Sequence, residues 1–206
     1  MQIEVSCETI GRLSRINATL PANEPREWLR SFFVERRNGH GYVGATNSIF
    51  AAVQYLGPSE GENGFVLIRH GALPLRAWAE CEPETKCTIN EISALNYCGI
   101  IAPGSYSSSS DVAIRDVEPV NTLKNWREWA PRSAPPAGRA MFLDVDGLGA
   151  LIGSSPSGRV IFPKQIDAEL PVIVRDVTNP DWLGMFLARA SNGLFIDGAT
   201  RPDWSL

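Results

Sequence analysis

The sequence predicts an α+β fold made of repeated βαβββ units, about three in the chain, with the helices on one face of antiparallel sheets. Two observations carry this. A strand-like run followed by a short helical pattern opens the chain, recurs from residue 65 and recurs again from residue 140. Behind each opening come strand-like runs separated by Gly-, Ser- or Asn-containing turns, so each stretch parses as βαβββ.

Gln2–Ser6 alternates apolar and polar residues, as a half-buried strand does. In residues 7–19, Ile10, Leu13 and Ile16 recur at i, i+3 and i+6 while Arg12 and Arg15 fall elsewhere on the turn, the pattern of an amphipathic helix. The stretch Leu20-Pro21-Ala22-Asn23-Glu24-Pro25 ends it. Residues 28–37 and 41–56 flank Asn38-Gly39, a type I′ hairpin signal, because both central positions of that turn need positive φ. The second run is long enough for two strands parted at Asn47-Ser48, another turn-prone pair.

After the polar loop at 57–61, residues 65–68 read as a buried strand and 73–81 as a short helix. Its Pro74 lies in the first turn, where a missing N–H does no harm. Residues 85–97, 99–102 and 111–115 read as strands, and serine-rich 106–110 as a mobile loop. Residues 1–117 thus form one domain of two units. Residues 118–139 are a proline-rich linker that carries Trp126 and Trp129, apolar anchors that need a surface to dock on. A third unit, a half domain, occupies 140–190: strand 140–145, helix 146–152 capped by Asp146, then strands 159–163, 171–176 and 182–190. Residues 191–206 are a tail that ends in Trp204-Ser205-Leu206, with docking on a neighbouring subunit, filling of a peptide pocket and fraying as its readings.

Composition narrows the class of protein. At 206 residues, 44% hydrophobic and 20% charged, the chain has the make-up of a globular protein with a real core. No apolar run approaches the roughly 20 residues of a membrane span, and the acidic start Met1-Gln2-Ile3-Glu4 is unlike a signal peptide, so a cytoplasmic location is expected. The net charge of −4 argues against a protein that coats nucleic acid over its whole surface, but not against a ring that is basic only along its hole. Cys7, Cys81, Cys87 and Cys98 have no C-x-x-C spacing, so no metal or other cofactor is expected. Cys81 and Cys87 are close enough to meet across a turn, with reduced, buried thiols as the expected state.

Catalytic groupings are sparse. The chain lacks a P-loop, G-x-S-x-G and H-E-x-x-H, and His40 and His70 lie beside glycines in turn positions. Asp144-Val145-Asp146 sets two carboxylates at a strand end. This supports a minor alternative, a metal-dependent hydrolase, against the commoner role of such a pair as a helix cap. A non-enzymatic protein is expected.

Three stretches remain: Val43-Gly44-Ala45-Thr46-Asn47-Ser48-Ile49-Phe50-Ala51-Ala52-Val53, Leu123-Lys124-Asn125-Trp126-Arg127-Glu128-Trp129-Ala130-Pro131, and Leu170-Pro171-Val172-Ile173-Val174-Arg175 leading to Trp182-Leu183-Gly184-Met185-Phe186-Leu187-Ala188-Arg189. In this order they resemble segments of the bacterial DNA sliding clamps that tether polymerases to template. There the strand reads A-T-D-G-H-R-L-A, the inter-domain segment ends in Y-P-D-Y-R-R-V-x-P, and the last strands read P-V-x-I-R and Y-x-x-M-P-M-R. The chain departs from the pattern where Asn47, Ser48, Ile49 and Phe50 stand for Asp, Gly, His and Arg, and its tail runs past the usual end.

The resemblance implies a DNA clamp fold and a processivity factor of small, divergent form, of a size suited to a phage or mobile element. Family rings hold twelve units, so three per chain imply a homotetramer with head-to-tail contacts; a hidden fourth unit in 118–139 would imply a trimer. Duplex DNA, a DNA polymerase and a clamp loader are the implied partners. Arg12, Arg15 and Arg76 would touch phosphates without reading sequence, although ordinary solvated helix residues look the same. The peptide pocket carried over by position comprises Thr46, Ser48, Ala51, Trp129, Pro171, Val172, Gly184 and Phe186, several of which serve equally well as strand packing. A second implied role is a clamp-fold inhibitor or decoy that binds a host replication protein.

Overall fold

The computed structural model describes residues 1–69, 82, 84–92, 97–102, 105–108, 113–114, 126–129, 141–142, 145–162, 171–187 and 189–190. In chain order the elements are β1 (Gln2–Ser6), α1 (Cys7–Ala18), a 3-10 turn (Glu27–Arg30), β2 (Ser31–Arg37), β3 (His40–Thr46), β4 (Phe50–Pro58) and β5 (Gly64–Arg69). Next come β6 (Lys86–Ile92), β7 (Tyr97–Ala102), β8 (Ser105–Ser108), β9 (Ala113–Ile114) and a second 3-10 turn (Trp126–Trp129). The chain closes with β10 (Met141–Phe142), α2 (Val145–Ser154), β11 (Val160–Ile161), β12 (Pro171–Asp176), β13 (Trp182–Leu187) and β14 (Arg189–Ala190). The fold is α+β, and every strand pair among the described residues is antiparallel.

Local chemistry explains the first unit. Ser6 caps α1 by accepting from the Thr9 N–H at 3.2 Å, and Glu8 sits in the first turn where a negative charge suits the helix dipole. The helix buries Ile10, Leu13 and Ile16, each at most 1% exposed, as their spacing predicts. Asn38 and Gly39 take φ of 53° and 83°, so the hairpin turn between β2 and β3 forms as expected. The break at Asn47-Ser48 is also real: Asn47 accepts from the Ile49 and Phe50 N–H groups and donates to the Thr19 hydroxyl, pinning the β3–β4 turn to the end of α1.

Among the described residues three sheets result: a four-stranded one in the order β1-β6-β7-β8, an eight-stranded one in the order β11-β12-β13-β4-β3-β2-β5-β9, and the β10-β14 pair. Helices α1 and α2 pack against each other and on the same face of the eight-stranded sheet. There Phe32, Val34, Phe50, Val174, Trp182 and Phe186 join Ile10, Leu13, Ile16 and Leu151 in one buried core. Gly147 lets α2 approach the sheet, because a Cβ at that position would overlap the Phe50 ring.

Several expectations change. Ser105–Ser108 is a strand, β8, rather than part of a mobile loop; its pairing with β7 uses backbone groups, which serine supplies as well as any residue. Residues 28–30, the start of the expected first strand of the hairpin, belong to a 3-10 turn (Glu27–Arg30) instead. Asp146 lies inside the first turn of α2 rather than capping it, since the helix begins at Val145. The thiol nearest Cys87 among the described residues is that of Cys7, with sulfurs 3.9 Å apart and both residues buried, while Cys81 lies outside those residues. The helix expected at 73–81 and the tail at 191–206 also lie outside them. No helix among the described residues is long and apolar enough to cross a membrane.

Asp176, at the end of β12, organises the third unit. Its carboxylate accepts from the hydroxyls of Ser155, Ser157 and Thr178 and from the backbone N–H groups of Ser157, Thr178 and Asn179. This ties the end of α2 and the start of β11 to the turn that follows β12. Burial alone would raise its pKa, but the donors of Ser155, Ser157 and Thr178 outweigh it and hold the carboxyl well below the usual carboxylate range. The folded pKa is therefore depressed. Stability from this group is present above the unfolded value of about 3.9 and is lost as pH falls through the folded value. Asp176→Ala is expected to cost about 2–4 kcal/mol at neutral pH, because it strands several buried donors, and to flatten the acid limb of stability; urea titrations between neutral and acid pH check both.

Candidate functional site

The eight-stranded sheet has a second apolar face, opposite the helices. Side chains alternate across a strand, so Phe33, Ala51, Val53, Leu67 and Met185 point away from α1 and α2, with Tyr42, Phe65, Ile173 and Leu183 partly buried beside them. The 3-10 turn at Trp126–Trp129 covers part of this face. Trp126 is 6% exposed, with its ring 6.2 Å from that of Phe33 and 5.9 Å from that of Tyr42. Its indole N–H donates to Oε2 of buried Glu35 at 2.9 Å, and Nη1 of Arg127 donates to the same oxygen at 2.6 Å. The Arg127 guanidinium also stacks 4.5 Å from the Tyr42 ring centroid and 4.1 Å from that of Trp126. The docking surface that a tryptophan in a linker requires is thus found for Trp126, and the buried Glu35 charge has its counter-ion.

Beside this anchor lies a groove of about 280 Å³ lined by Tyr42, Val53, Tyr55, Trp126, Arg175 and Leu183. It straddles the pairing of β4 with β13, where Val53 faces Leu183. Apolar lining, aromatic rings and a few charged groups make a site suited to a side chain or two of a short peptide.

The pocket residues expected from sequence divide between the two faces. Ala51 lies on the outward face, opposite Met185 in register. Val172 and Phe186 belong to the helix-side core, 3% and 1% exposed. Gly184 is buried there too, where a Cβ would come within 2.5 Å of the Trp182 ring and 2.6 Å of Val174. Pro171 is half-buried opposite Leu187. Thr46 is buried; its hydroxyl donates to the Phe50 carbonyl and accepts from the Ser48 N–H, which shapes the turn. Ser48 is exposed with φ of 75°, the backbone that a glycine adopts freely. Trp129 closes the linker's 3-10 turn. The groove residues that sequence reasoning missed, Tyr42, Val53, Tyr55 and Leu183, share alternating positions on their strands. The strand period pointed to them only once the β4–β13 register was known.

On the helix side, Arg12 donates to Glu8 at 2.8 Å and to the Thr9 hydroxyl at 3.2 Å, and its side chain is only 15% exposed. Arg15 is exposed and lies across Gly153 of α2. Arg76 and Asp144 lie outside the described residues, and Asp146 is exposed on α2, which carries no basic residue. The described helix faces therefore set Arg12 and Arg15 against Glu8 and Asp146.

Two outcomes follow from these contacts. Trp126→Ala is expected to cost about 3 kcal/mol and to raise protease cleavage in 118–139, read by urea unfolding and limited proteolysis. Ser48→Gly is expected to stabilise by about 0.5–1 kcal/mol by relieving the left-handed backbone, read as a higher urea midpoint with unchanged slope.

The sequence matches no protein-family model and no curated protein. Solved structures do match. A DNA polymerase III beta sliding clamp from Pseudomonas aeruginosa bound to griselimycin superposes with a TM-score of 0.63 at 11% identity, over 91% of this chain and 65% of that one. A second sliding clamp from the same organism gives 0.61 at 12% identity, over 91% and 66%. A putative DNA polymerase III beta subunit from Eubacterium rectale gives 0.56 at 9% identity, over 91% and 65%. The chain thus spans about two thirds of the length of these proteins. Its units, its sheet order and these superpositions agree: the chain has the fold of the bacterial DNA sliding clamps.

Proposed function

We propose that the protein is a non-catalytic, clamp-like processivity factor: an oligomeric ring around duplex DNA that holds replication proteins by their short apolar segments. The observation that carries this is the groove at the β4–β13 junction of a clamp fold, floored by apolar strand residues and bordered by the docked linker. Closure of the ring would prevent dissociation, while weak phosphate contacts from Arg12, Arg15 and Arg76 would allow sliding. Residues 1–117 and 140–190 would supply one and a half clamp domains joined by the 118–139 linker, so four chains complete twelve units, and three remain the alternative. A DNA polymerase and a clamp loader are the partners whose segments would enter the groove. Thr46 and Ala51 would extend that face toward the β3–β4 turn, and Trp129 would contribute from 118–139.

One observation favours a second reading, a clamp-fold decoy that binds a replication protein without circling DNA. The described faces of α1 and α2 are balanced in charge, whereas an inner rim against phosphates gains from positive charge. Two measurements separate the readings. A labelled peptide with leucine and phenylalanine anchors is expected to bind, with Leu183→Asp weakening it by about tenfold or more; an unchanged affinity would remove the groove from the proposal. Salt-sensitive retention on closed circular but not linear duplex, assayed with a clamp loader present, is expected for a ring. Peptide binding without such retention would leave the decoy.

A further inference from the structure

The first two units exchange their opening strands. β1, first strand of the first unit, pairs with β6, the second strand of the next; β5, first strand of the second unit, pairs with β2, the second strand of the first. The free side of β5 then takes β9, a two-residue strand that follows the second unit in the chain. This gives the order β2-β5-β9.

The third unit repeats one half of that arrangement. Its first strand, β10, pairs with β14, a two-residue strand that follows the unit in the chain just as β9 follows the second. Its second strand, β11, pairs with β12 on one side. On the other side, where β2 receives β5, no strand lies against β11 among the described residues. Of the exposed large hydrophobic residues among those described, Ile161 at 55% and Phe162 at 36% lie at this edge, and Val177 at 45% lies one strand inward, just past β12. Val177 is held beside β11 by its N–H, which donates to the Arg159 carbonyl at 3.1 Å. An apolar sheet edge of this kind is a template for another strand.

We infer that the occupant is a second copy of this chain, whose β10 seats against β11 while its β11 receives β10 in return. The strand order across the contact is then β12-β11-β10-β14 twice over, with β10 and β14 from the other copy, in parallel with β3-β2-β5-β9 within one chain. Reciprocal exchange satisfies two open edges at once, which a peptide laid on β11 alone does not. The contact is twofold and isologous rather than head-to-tail. Two copies complete one shared two-unit body between their N-terminal parts, and a tetramer becomes a pair of such dimers. The inference rests on strand pairing alone, not on the DNA or peptide reading.

Sedimentation velocity of the full chain at micromolar concentration tests it. Wild type is expected at twice the chain mass or a multiple of that. Ile161→Lys combined with Val177→Lys is expected to weaken the association by about a hundredfold or more, with unchanged circular dichroism because both side chains are half exposed. A disulfide trap checks the geometry without that variant: Met141→Cys with Ile161→Cys is expected to give a covalent dimer under mild oxidation, which neither single substitution gives. A monomeric wild type, an oligomer whose mass survives the folded double-lysine variant, or failure of the trap in a dimeric protein would overturn the proposal.

Discussion

The pairing of β4 with β13 is the constraint on which the rest of the molecule depends. It runs from Trp182 opposite Gln54 to Phe186 opposite Phe50, and joins strands more than 125 positions apart in sequence into one eight-stranded sheet. The register fixes both faces together. Phe50, Trp182 and Phe186 go to the helix side, where they meet α1 and α2, and Ala51, Val53, Leu183 and Met185 go to the outside. Because the side-chain period of a strand is two, a slip of a single residue would exchange these sets and dismantle core and groove together.

The parts of the fold that could be read in the sequence are those governed by local chemistry. Ile10, Leu13 and Ile16 announce α1, Asn38-Gly39 the hairpin, and Asn47-Ser48 the break between β3 and β4, because a helical period and positive-φ turns leave marks within a few residues. Strand β8 did not announce itself. A serine run has the composition of a loop, and only the neighbouring β7 turns it into a strand. The first strand of the third unit was overextended: residue 145 already belongs to α2.

The candidate groove takes its shape from contacts distant in sequence, with Trp126 docked beside the paired strands β4 and β13. Which side of the strands faces the linker depends on a long-range register, so Val172, Gly184 and Phe186 fall in the core while Leu183 and Met185 point outward. Glu35 gave no signal at all. An acidic residue in the strand run Ser31–Arg37 reads as solvent-facing until Trp126 and Arg127 arrive from residues about 90 positions away to cover it.

A sheet that continues without interruption through the junction leaves no hinge there. Relative rotation of the segments flanking the groove would require breaking the β4–β13 ladder, which sits over a packed core. The groove is for that reason preorganised. A segment entering it loses its own freedom but does not have to order its receptor, which keeps the entropic cost of association on one partner only.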